Sequence, residues 1–165
     1  GEGVAAASGP SVGALWRRPD PNVRMKAIVL LSRSKTDVAM SAIARAMTDS
    51  SDAVQRVALS SIGGAGGGKA DPTATAAASK VMHTHESWAM RVLAAQALGR
   101  LGGPEATKQL REAAVKEPYA LVRDAALVAL AGYDKNEAAQ LATQMAAHDA
   151  EPRVRETAAK IRDRR

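Results

Sequence analysis

Two short stretches carry residue types from which catalysis or ligand binding could be built. The first is "HTHESW" from His83, which gathers His83, His85 and Glu86 within four residues. Imidazole nitrogens and carboxylate oxygens bind zinc, and they also serve as general acids and bases. A helix sends residues two apart to different faces, so His83 and His85 could share a metal only across a turn. His148 is the only other histidine. The stretch reads as polar residues of a turn, and no metal site is expected. The second is "GGAGGGKADP", residues 63–72, a glycine-rich loop with Lys69 after Gly68. A phosphate-binding loop needs Ser or Thr after that lysine and a strand before the glycines. Here Ala70 follows the lysine and no strand pattern precedes it. Glycine carries a high entropic cost in a helix, so these glycines read as a flexible connection. No nucleophile stands with a base, and no carboxylate pair suggests a perturbed site. The chain is therefore expected to be a non-enzyme with no catalytic residues and no cofactor.

Charge points to a further possibility. The net charge is +6, with a pI of about 10.0, as a polyanion-binding surface would need. Much of the excess lies in "EPRVRETAAKIRDRR", which holds Arg153, Arg155, Lys160, Arg162, Arg164 and Arg165. Cations near the C-terminal end of a helix are also favoured by its dipole, and a solvated final helix accounts for them. Aromatic platforms for single strands are nearly missing, since only Trp16, Trp88, Tyr119 and Tyr133 are aromatic. Duplex nucleic acid stays open as the lesser alternative. The absence of cysteine excludes disulfides, thiolate metal sites and cysteine nucleophiles, but leaves the compartment undecided. No apolar run approaches the roughly 18 residues of a membrane-spanning helix.

The elements that would position any site follow from composition and period. Of 165 residues, 37 are Ala and none is Phe, which favours closely packed helices over pleated sheets. One pattern occurs five times: "NVRMKAIVLL", "AVQRVALSSI", "AMRVLAAQAL", "LVRDAALVAL" and "RVRETAAKIR". Anchored on Arg24, Gln55, Arg91, Arg123 and Arg155, the copies lie 31, 36, 32 and 32 residues apart. One residue before each anchor is Val or Met, and three after it is Ala in every copy. Seven after it stand Leu31, Ile62, Leu98 and Leu130, then Arg162. Steps of four place these positions on one helical stripe, and alanine at its centre admits a close neighbour. Between the copies lie "TDVAMSAIARAM", "DPTATAAASKVM", "GPEATKQLREAAV" and "NEAAQLATQMAA". Asp71-Pro72, Pro104-Glu105 and Asn136-Glu137 read as helix starts, and "SVGALWRR" reads as a shortened first member. Residues 1–10 are expected to be a flexible lead. The repeats then cover about 11–33, 34–66, 67–102, 103–133 and 134–165. Arg162 in the last copy suits a capping repeat that ends the stack, whereas the short first helix suggests continuation from another domain.

This grammar, in "DPNVRMKAIVLLS", "WAMRVLAAQALGRLGG" and "EPYALVRDAALVALAG", resembles the second helix of HEAT repeats, and most nearly the short Ala-rich repeats of phycobilisome lyase-type proteins. The resemblance implies an all-α, right-handed α-solenoid of about five helix pairs over residues 11–165. It also implies a ladder in which the Val-Arg arginines and the acids before each helix tie repeats together. Asp20 with Arg24, Asp52 with Gln55, and Glu151 with Arg155 match those places. Gln55 departs from the pattern with Arg56 one residue later, so the ladder is interrupted or shifted there. Some HEAT-like proteins bind iron through several His-Glu motifs and hydroxylate a lysine derivative, but this chain has only His85-Glu86. Phycobilin attachment is the other activity the resemblance suggests, and no residue here marks a bilin pocket. The expected role is a protein-interaction or assembly scaffold within a larger complex. Its concave face would be formed by the Val-Arg helices, with Lys26, Arg56, Gln96, Asp124 and Lys160 toward the partner. The alternatives are a duplex binder and an accessory subunit of a lyase- or hydroxylase-type enzyme.

Overall fold

The computed structural model describes residues 12–63 and 71–164. The expected lead over 1–10 and most of the glycine-rich stretch lie outside the described residues. The helices are α1 Val12–Leu15, α2 Pro21–Leu31, α3 Asp37–Ala46, α4 Asp52–Ser61, α5 Pro72–Thr84, α6 Trp88–Leu101, α7 Gly103–Lys116, α8 Ala120–Ala131, α9 Lys135–His148 and α10 Pro152–Asp163. The described residues contain no strand, and the chain is an all-α solenoid. Each odd-numbered helix pairs with the even-numbered helix after it, and each pair stacks on the next. The even-numbered helices, which carry the repeated arginines, pack more closely from pair to pair than the odd-numbered ones at three of the four junctions, the exception being that between the second and third pairs. Among the described residues no helix is long and apolar enough to cross a membrane.

Helix starts follow from side chains that accept the free amides of the first turn. Asp20, Thr36, Ser51, Asp71, Ser87 and Asp134 all do so. One start differs from the sequence expectation, and another lacks a side-chain cap. The carboxylate of Asp134 accepts from the Glu137 amide at 3.1 Å, so α9 begins at Lys135, before Asn136. Ahead of Pro104, Gly102 at φ +66 turns the chain without a side-chain cap, and α7 begins at Gly103.

The periodic stripe is the core. Val54, Ala58 and Ile62, then Met90, Ala94 and Leu98, then Val122, Ala126 and Leu130 have no exposed surface. The departures are Val23, half-buried in the pair whose first helix is four residues long, and Arg162, exposed at the end of the last copy. Backbones approach closely where side chains vanish. A methyl group built on Gly99 would lie 2.9 Å from the Ala129 Cβ. Replacing Ala94 or Ala126 with Leu is expected to overpack the stack and cost roughly 1–3 kcal/mol. Thermal denaturation of each variant measures this, and an unchanged midpoint in both would exclude the stripe as the packing seam.

Candidate functional site

Four of the five anchor positions are arginines, and all four bend back toward their own helix start. Each donates to the carbonyl six residues earlier: Arg24 to Arg18, Arg91 to His85, Arg123 to Glu117 and Arg155 to Asp149. Three also reach an acid of the following pair. Arg24 holds Asp49 through Nε and Nη2 at 3.0 and 2.9 Å, and Arg123 holds Asp149 the same way at 2.9 and 3.0 Å. Arg91 donates to Glu117, and its guanidinium lies over the Tyr119 ring, 5.4 Å from the centroid. A planar two-pronged donor suits a carboxylate, which lysine could not match. Asp149 is also bonded by the Glu151 amide. Burial works to raise its pKa, but the bonds from Arg123 and that amide, with the charges of Arg123 and Arg155, hold it below the ordinary range. Arg123 is correspondingly raised, first by its bond to Asp149 and against its own desolvation.

These acids are not the ones expected from sequence. Asp20 caps α2 through the Asn22 amide, Asp52 lies 3.4 Å from His85, and Glu151 is the uncapped start of α10. An arginine in the first helical turn leans toward the N-terminus, so it reaches the loop ahead of the next pair's second helix. The acid there stands three residues before that helix: Asp49, Glu117 and Asp149.

At the junction of the second and third pairs both partners change. Gln55 replaces the arginine, and His85 occupies the acid's place. The ladder is interrupted and not shifted, because Arg56 is exposed and makes no ion pair with the described residues. The Gln55 Oε1 is buried without a hydrogen bond. The His85 Nδ1 accepts from the Ser87 amide at 3.0 Å, as Asp49 does from Ser51 at 2.9 Å. The lost tie is replaced at the opposite helix end. Arg100 of α6 donates through Nε to the Ile62 carbonyl at 2.8 Å and through Nη2 to that of Leu59. It thereby satisfies the last carbonyls of α4, where a cation also complements the helix dipole. Burial lowers the Arg100 pKa from its usual value. Gly63, at φ +88, makes room for it, since a Cβ there would come within 2.5 Å of the Arg100 Cβ.

Of the five residues expected to face a partner, Lys26, Arg56, Gln96 and Lys160 are exposed and Asp124 is half-buried. Only Gln96 and Asp124 come together, across a groove of about 670 Å³ between α6 and α8. Lys160 instead lies 3.4 Å from Glu156 on its own helix. The groove walls are apolar: Trp88 is 48% exposed, Val128 50% and Leu121 41%, with Val92 alongside. Gly99, Ala125 and Ala129 form a shallow floor. These apolar residues were missed in the sequence, although Leu121 stands where the other copies have Asn22, Ala53, Ala89 and Arg153. His83 and His85 have separate partners, Gln109 at 2.8 Å and Asp52, and His83 lies in the last turn of α5. Among the described residues no three His, Asp or Glu side chains converge on a metal-sized space.

A family model for HEAT repeats matches residues 40–131 and 75–161. No curated protein shows a significant match to the sequence. Among solved structures, the chain is similar to one in the complex of CpcE and CpcF of phycocyanin lyase from Nostoc sp. PCC7120. Identity is 20% and the TM-score 0.67, over 92% of this chain and 96% of that one.

Proposed function

The chain belongs to the HEAT-repeat family, and from that premise we propose that it is a non-catalytic assembly module that binds another protein along its arginine-bearing helices. The closer packing of that row at three of the four junctions supports taking it as the inner side of the stack. The observation that carries the reading is the group of exposed apolar side chains around the groove on this row, Trp88, Leu121 and Val128. Large exposed apolar groups gathered around a groove mark a contact surface. The similar solved structure is itself a complex of two proteins, which supports a protein partner. An accessory subunit of an enzyme is the same reading with an enzyme as that partner. Duplex nucleic acid is less well served. The cations Lys26 and Arg56 share the row with Asp124 and Glu156, and Lys160 is paired with Glu156.

Photo-crosslinking in extract of the source organism tests this. A crosslinker at Lys26, Arg56 or Lys160 is expected to capture the same protein, and one at Lys80, Lys108 or Lys135 on the other row is not. Val128→Glu should abolish the capture. Recovery of nucleic acid alone, or capture only from the second set, would overturn the proposal.

A further inference from the structure

The groove between α6 and α8 also indicates what kind of segment it receives. Its walls are Trp88, Val92, Leu121 and Val128, yet Asp124 lies among them. The Asp124 Oδ1 is shielded from solvent and accepts no hydrogen bond. Asp124 is only half-buried and Oδ1 alone is shielded, so the other carboxylate oxygen, which has no ion pair among the described residues, is the one open to an incoming cation. The groove's own cation does not pair with it, because Arg100 is committed to the carbonyls of Leu59 and Ile62. Gln96 adds an amide to the lining, and Gly99, Ala125 and Ala129 keep the floor free of large side chains. A chain of net charge +6 otherwise repels cations, so attraction here has to be local.

We propose that this groove docks a partner polypeptide segment presenting one lysine or arginine between apolar side chains, with the cation pairing with Asp124 and the apolar groups seated on Trp88, Leu121 and Val128. The inference rests on the assembly reading above and adds the chemistry of the partner. A central charged pair inside an apolar surround is how an interface concentrates its binding energy and selects its partner.

Fluorescence titration tests it. In a Trp16→Phe background the Trp88 indole is the only tryptophan reporter. The probes are amphipathic helical peptides of about four turns, with leucines flanking a central lysine, norleucine or glutamate. The lysine peptide is expected to shift Trp88 emission and to bind about tenfold more tightly than the norleucine peptide, with the glutamate peptide weakest. Asp124→Asn should erase the lysine preference, weakening the lysine peptide to about the level of the norleucine peptide. Leu121→Ser should weaken the lysine and norleucine peptides together. Equal affinity for lysine and norleucine peptides, or a preference that survives Asp124→Asn, would overturn the cation assignment. Phenethylammonium binding as tightly as the lysine peptide would overturn it in favour of a small-amine site. If no peptide binds while the Lys26 and Arg56 crosslinks persist, the groove assignment falls and the assembly reading stands.

Discussion

Asp149→Ala is expected to lower stability by about 3–5 kcal/mol, because it strands a largely buried arginine without its counter-ion. For a chain of this length the melting temperature should drop by roughly 8–15 °C. The side chains of Arg123 and Asp149 are 13% and 6% exposed, so solvent can compensate little. Replacing both partners together, with Arg123→Met and Asp149→Leu, should recover much of the loss, since a buried pair and an apolar pair of similar size are often nearly equivalent. Double-mutant thermal denaturation measures the difference. If the single substitution costs no more than an exposed pair, roughly 1 kcal/mol or less, the ladder does not hold the stack together.

The same pair fixes a pH dependence. The Asp149 carboxyl is held below its ordinary range when folded. Its stabilisation is therefore present above the unfolded value, about 3.9, and is lost as pH falls through the folded value. Wild type should lose stability more steeply than Asp149→Asn below about pH 4. Arg123, raised by the pair, keeps its contribution throughout the accessible range.

Arg100→Ala should cost about 2–3 kcal/mol, through loss of charged hydrogen bonds to the Leu59 and Ile62 carbonyls. The effect should be local. Hydrogen exchange is expected to rise in α4 and α6, and to stay near wild type in α9 and α10, because a stacked repeat chiefly senses its neighbours. Uniform loss of protection would show that the second and third pairs are not separately tied.

The stack was legible because helix packing imposes a period. A stripe must recur every turn, and Ala27, Ala58, Ala94, Ala126 and Ala158 announce the seam where neighbouring helices meet. The anchor arginines were legible for the same reason. Their partners were not: Asp49, Glu117 and Asp149 lie 25 or 26 residues downstream, and side-chain direction, invisible to spacing, decides between them and the nearer Asp20 or Glu151. Gln55 stood out as an exception, whereas His85 did so only once its place in the acid series was known. The groove was half legible. Gln96 and Asp124 were singled out as outward-facing, but Trp88 and Val128 could have been core residues until the packing showed their exposed sides.

The ties also decide how the molecule bends. Three junctions are latched near the start of their second helices, through Arg24, Arg91 and Arg123. The remaining one is latched at the other end, through Arg100 and the last carbonyls of α4. It is a door hung from the opposite jamb. A load that spreads the starts of these helices meets three ion-paired catches and, at that junction, only the 3.4 Å contact between His85 and Asp52. Separation of the helix starts is therefore resisted least between the first two pairs and the last three, and separation of the helix ends is resisted there by Arg100.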